Sequence, residues 1–127
     1  MRQQLRELNS VLLFVKDPNK SAEFYRKLDF DISVQSPSLV VAQLGHFRIQ
    51  CTDQSKVKYT QDSNKEPKGA GVFLCIEVKD VDQCHQNLVE ADLTPSSSPT
   101  DQKWGNREFA IKDPDGYKIV CYKPLNS

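Results

Sequence analysis

Few side chains in this sequence have the type and spacing that chemistry requires. There are two histidines, His46 and His85, and neither has a carboxylate or cysteine at ligand spacing. Nor does either pair with a serine or cysteine as the base of a nucleophilic centre. The four cysteines, Cys51, Cys75, Cys84 and Cys121, form no C-x-x-C pair, which argues against a zinc ribbon or a thioredoxin-like site. Four are too few to staple a chain that can bury its own core, so they read as reduced thiols of a cytoplasmic protein. Asp113-Pro114-Asp115-Gly116 offers two close carboxylates, but that order of residues is better explained as a turn. The remaining polar candidates suit binding rather than bond breaking. Glu77 could pair with a cationic ligand and Arg48 with an anionic one, or both could be solvated strand-end charges. Trp104, just before Gly105, could stack on a flat ligand, anchor its loop, or belong to a dimer interface. Cys75 is either a cleft thiol or a small core hydrophobe.

These residues sit on a repeating series of elements. Residues 11–15 are a short, partly β-branched apolar run and read as a strand. Asp17 and Pro18 then supply a helix cap and first position, and Ser21, Phe24, Tyr25 and Leu28 recur on one helical face. Strand-like runs follow at 30–35, 39–44 and 47–52, with Gly45-His46 as a tight turn. A polar stretch, 53–70, reads as a linker or a functional arm. Residues 72–78 then read as another strand. Asp80 and Gln83 carry a capping-box signature, and Val81, Cys84, His85 and Leu88 repeat the helical face. A short strand near Leu93, a Ser/Pro/Thr loop through Asp101, and strands at 107–112 and 117–122 complete the chain.

The letters themselves repeat. Val15-Lys16-Asp17 returns as Val78-Lys79-Asp80, and Phe47-Arg48-Ile49-Gln50-Cys51 returns as Tyr117-Lys118-Ile119-Val120-Cys121. The expectation is an α+β fold of two tandem βαβββ modules forming a curved mixed sheet around a cleft. One domain, 1–127, would hold module one at about 8–52, the linker at 53–70 and module two at about 71–124. With 127 residues, 17 Lys+Arg against 17 Asp+Glu, and 38% hydrophobic content, the chain is a globular domain without net charge. Neither nucleic acid nor an anionic membrane is an expected partner. No apolar run is long enough to span a bilayer, and the polar first residues predict no secretory leader.

Strand alternation sorts the side chains into two faces. Leu13, Val15, Ile49, Cys51, Leu74, Ile76, Ile119 and Cys121 share the face expected to pack under the helices. The other face mixes apolar and polar groups: Leu12, Phe14, Arg48 and Gln50 in module one, and Phe73, Cys75, Glu77, Val120 and Tyr122 in module two. Such a mixture predicts a small-molecule cleft, with Trp104 at its mouth, or else packing against another subunit.

Several motifs in this order resemble the vicinal oxygen chelate superfamily, which contains glyoxalase I, bleomycin-resistance proteins and extradiol dioxygenases. They are Val15-Lys16-Asp17-Pro18, Phe24-Tyr25-Arg26 before Leu28-Asp29-Phe30, Trp104-Gly105, Arg107, Phe109, and Asp113-Pro114-Asp115-Gly116-Tyr117. Asp29 stands where the family usually has glycine. The resemblance implies paired βαβββ modules enclosing a cleft, usually in a homodimer. Enzymes of the family hold a divalent metal at four places, which here carry Ser10, Gln50, Phe73 and Val120. Phe and Val cannot ligate, and Ser is a poor ligand for such ions. The resemblance is therefore to the metal-free, ligand-sequestering branch, with no cofactor, no metal and no catalytic residue expected, and with a small-molecule ligand and a second copy of the chain as partners. Two alternatives stay open. One is a metal-free lyase or isomerase using Glu77 or Tyr122 for proton transfer; the other is a non-catalytic dimeric interaction module.

Overall fold

The computed structural model describes residues 4–56 and 64–126. The chain divides into two compact units, Met1–Lys65 and Glu66–Ser127. The first contains β1 (Ser10–Val15), α1 (Pro18–Lys27), β2 (Asp31–Gln35), β3 (Leu39–Leu44) and β4 (Phe47–Asp53). The second repeats the order with β5 (Phe73–Glu77), α2 (Val81–Glu90), β6 (Thr100–Asp101), β7 (Asn106–Lys112) and β8 (Lys118–Pro124). Each unit is therefore one βαβββ module with its own four-stranded mixed sheet, ordered β1-β4-β3-β2 and β5-β8-β7-β6. In both, the first strand pairs in parallel with the last, and the remaining pairs are antiparallel.

The two helices begin and end by the same local chemistry. The Asp17 carboxylate accepts the Asn19 N–H at 3.0 Å, and the Asp80 carboxylate accepts that of Gln83 at 3.0 Å. Both satisfy backbone donors that a helix start leaves open. The Gln83 side chain does not return to Asp80; it donates to Asn87 one turn on, at 2.8 Å, so only half of the expected capping box forms. At the far ends, Asp29 (φ +68°) and Asp92 (φ +66°) turn the chain through the left-handed region. The Phe30 N–H then donates to the Tyr25 carbonyl at 2.9 Å and the Leu93 N–H to that of Leu88 at 3.0 Å. This closure explains the usual glycine: only it enters that region without steric cost, though aspartate tolerates it better than most.

The helix-facing side of each sheet is the apolar one. Leu13, Val15, Val40, Ala42, Ile49 and Cys51 are buried in the first module with Tyr25, whose ring stands edge-on to Phe24 at 5.0 Å and Phe30 at 5.4 Å. Phe109, Ile111, Ile119 and Cys121 are buried in the second, with Val81 and Leu88 of α2.

The expected strand near Leu93 is absent. Leu93 instead completes the helix closure, and pairing resumes only at Thr100. Pro95 and Pro99 lack the N–H a ladder needs, so this edge is held piecemeal. The Ser96 N–H donates to the Ala110 carbonyl at 2.8 Å, and the Ala110 N–H to the Ser97 hydroxyl at 2.9 Å. Asp113 forms the expected turn, its carboxylate accepting the backbone N–H groups of Asp115 and Tyr117, each at 2.9 Å.

Of the polar stretch 53–70, Asp53 closes β4, and residues 57–63 lie outside the described residues. Its far end is packed: Lys68 is buried, and a Cβ on Gly69 would stand 2.8 Å from the Tyr117 ring.

Candidate functional site

The register of the second module sets its helix-free face. Cys75 lies opposite Val120, which lies opposite Ala110; Glu77 lies opposite Tyr122, which lies opposite Glu108. These side chains form two rows across three strands. Over them lies a recess of about 420 Å³, within the range of small-molecule pockets. Phe73, Cys75, Val120 and Tyr122 line it from β5 and β8, Asn106 and Glu108 from β7, and Trp104 from the turn before β7. Phe73 and Trp104 keep 55% and 67% of their surface exposed, although both are large and apolar.

Trp104 is held from both sides. Its indole N–H donates to Glu108 Oε1 at 2.9 Å. The turn that carries it is closed by the Gln102 N–H donating to the Asn106 carbonyl at 2.7 Å, and Gly105 takes φ +98°. Next in the chain, Arg107 points to the opposite face. Its guanidinium donates to Asp82 of α2 at 2.8 and 2.9 Å and to Asp101 of β6 at 2.9 Å. These bonds push the Arg107 pKa up, the Asp82 bond first, and the same bond holds the Asp82 carboxyl below its ordinary value. A smaller recess, about 250 Å³, lies at this clamp beside Lys79, Lys123 and Leu125.

Five of the ten residues singled out from the sequence line the larger recess: Phe73, Cys75, Trp104, Val120 and Tyr122. Glu77 is on the same face beside Tyr122 but outside the lining. Sequence reasoning missed Asn106 and Glu108. Alternation could have found them, because Phe109 and Ile111 are core residues and the even-numbered neighbours must face the other way.

The other four lie on the helix-free face of the first module. Leu12 pairs with Gln50, Phe14 with Thr52, and Ser10 with Arg48. Leu12 is 40% exposed, Arg48 is exposed, and Gln50 is half-buried, its amide donating to the Ser10 hydroxyl at 3.3 Å. Ser10 and Gln50 are thus hydrogen-bonded to each other. In the second module Phe73 and Val120 present only carbon. The four side chains do not fit a divalent ion, since two have no donor atom and a third is a hydroxyl. Among the described residues no three His, Cys, Asp or Glu side chains group as a metal site elsewhere.

The histidines take structural places. His46 is exposed in the β3–β4 turn, and His85 of α2 stands edge-on to Phe109 at 5.1 Å. Cys51 and Cys121 are buried, Cys84 is half-buried and Cys75 is exposed. A hydrogen bond with Cys84, and then burial, push the Cys121 thiol well up.

Paired βαβββ modules with these motifs define a class. The family model of the Glyoxalase/Bleomycin resistance protein/Dioxygenase superfamily matches residues 7–121, and the chain belongs to that superfamily. Among characterised relatives, it is 31% identical over 123 residues to the bleomycin resistance protein of Geobacillus stearothermophilus, covering 89% of this chain and 93% of that protein. The Staphylococcus aureus bleomycin resistance protein matches with the same figures. Among solved structures, a glyoxalase/bleomycin resistance protein/dioxygenase from Nocardioides superposes with a TM-score of 0.80 at 21% identity, over 97% of this chain and 86% of that one. A lactoylglutathione lyase from Agrobacterium tumefaciens gives 0.72 at 17% identity, over 93% of each chain. These structural likenesses establish the fold. Among the described residues no helix is long and apolar enough to cross a membrane.

Proposed function

We propose that this protein binds a small, partly aromatic molecule and sequesters it unchanged, without a metal, in the manner of an antibiotic-binding member of its superfamily. The observation that carries the reading is the second module's recess. Two of its walls, Phe73 and Val120, stand where the superfamily's enzymes keep metal ligands, and exposed aromatic surface surrounds them. Sequestration requires only shape and a few polar contacts, and the recess offers both. The relatives named for bleomycin resistance support the same reading. On the first module, Leu12, Phe14, Arg48 and Gln50 are proposed as a further binding surface. The reading includes a single domain acting as a cytoplasmic homodimer, with the second copy covering exposed sheet surface.

Calorimetric titration of metal-stripped protein with bleomycin tests this reading. Saturable binding with the ligand recovered intact is the expected result. No heat of binding, or conversion of the ligand, would overturn it.

A further inference from the structure

We propose that the second module's recess is selective for cations: its ligand carries a protonated amine or guanidinium that sits against Glu108 among aromatic faces. This rests on the recess being the binding site and adds the charge of what enters it.

Among the described residues Glu108 is the only charged one in the lining, which contains no Lys, Arg or His from them. Trp104 takes one of its oxygens, Oε1, at 2.9 Å. The second oxygen accepts no hydrogen bond from the described residues, while the first bond fixes the carboxylate against the indole. Glu77, on the far side of Tyr122, adds a second negative charge to the same face.

The nearby cations do not cancel this. Arg107 and Lys123, which pair with each other across β7 and β8, belong to the opposite face, and Arg107 is already bonded to Asp82 and Asp101. Lys118 is on the same face as Glu108 and holds its ammonium over the Phe73 ring, 5.5 Å from its centre. The Phe73 end of the recess therefore already has a cation, and the Glu108 end is the one left to a ligand. Lys118 is four residues along β8 from Tyr122, roughly 13 Å at a strand's rise. Trp104 and Tyr122 reinforce the preference at the Glu108 end, because aromatic faces attract cations and repel anions. A carboxylate ligand beside Glu108 would meet like charge, whereas an ammonium there gains a charge-assisted hydrogen bond.

Trp104 is the only tryptophan, so one indole N–H resonance reports on this site. Three probes with one flat body separate charge from shape: 2-(1-naphthyl)ethylammonium, its neutral N-acetyl derivative, and 1-naphthylacetate. Titrating each against the indole signal of the full chain, we expect the ammonium to bind about tenfold tighter than the neutral amide. The naphthylacetate should bind weakest. Glu108→Gln keeps an acceptor for the indole and removes the charge, and should close most of that gap. Equal affinity for ammonium and amide, or a gap that survives in Glu108→Gln, would overturn the cation selection and leave the recess as a binding site. If none of the three moves the indole signal, both the selection and the recess as the ligand's place fall.

Discussion

Replacing Phe73 with alanine separates the fold of the second module from its binding surface. In the free protein Phe73 is already 55% exposed, so less than half of the ring contributes to stability. Truncation should therefore cost about 1–2 kcal/mol, well short of the ~3–5 kcal/mol of a buried phenylalanine. The exposed part is what a ligand would cover. A phenylalanine presents roughly 200 Å², and about half of that at ~25 cal/mol per Å² is worth up to about 2.5 kcal/mol. Partial coverage leaves about 1–2 kcal/mol, a weakening of roughly 5–30-fold. Calorimetry with bleomycin on wild type and Phe73→Ala, beside thermal denaturation of both, reads the two effects independently. Phe73→Leu, which keeps the apolar bulk but not the flat face, should fall between them. Unchanged affinity in a folded Phe73→Ala would refute the placement of ligand in this recess.

The Asp82–Arg107 bond predicts a specific acid response. Asp82 titrates below its ordinary 3.8 in the folded state, so its contribution is complete above that value and drains away as the pH falls through the folded pKa. Arg107→Gln should flatten this acid limb in melting curves taken from pH 5 to pH 2; an unaltered limb would count against the clamp. Asp29 at φ +68° predicts that Asp29→Gly changes stability by less than about 1 kcal/mol, because strain relief and lost chain stiffness oppose each other. Asp29→Val should lose about 1–2 kcal/mol, and denaturant titration would show whether the two differ. Thiol alkylation of native protein, followed by mass spectrometry, should label Cys75 first and spare Cys51 and Cys121, whereas all four react in denaturant. Sedimentation at tens of micromolar, a rough range for specific association, should show a dimer; a monomer would remove the second copy from the proposal.

The duplication was legible because the two copies reuse local chemistry. An aspartate caps each helix, an i, i+3, i+4, i+7 face follows, and strict alternation marks the last strand, so each element could be placed from a handful of neighbouring letters. Faces were legible for the same reason: Phe73, Val120 and Tyr122 fall on one side by parity alone. The false strand near Leu93 shows where local reading ends. A leucine followed by threonine looks extended, but whether it pairs depends on the donors that Pro95 and Pro99 withhold across the sheet. Alternation would have put Glu108 on the same face, but its contact with Trp104, made through the turn that leads into β7, leaves no pattern in composition or period. Glu77 was read correctly as sharing a face with Tyr122, yet parity does not reveal where along a strand a recess opens.

Each sheet joins its first strand to its last, Ser10 against Arg48 and Phe73 against Lys118. This closure has a consequence for synthesis on the ribosome. While a module is emerging, its opening strand waits without its parallel neighbour, whereas the helix and the antiparallel hairpins can form from what is already outside. The first module has all its strands once Asp53 is free, before Phe73 has left the ribosome. A nascent chain that stalls between β1 and β4 holds an unpaired strand, and one that stalls in the polar stretch beyond β4 holds a finished sheet. The stretch 53–70 thus marks the interval in which half of the molecule can fold before the other half exists.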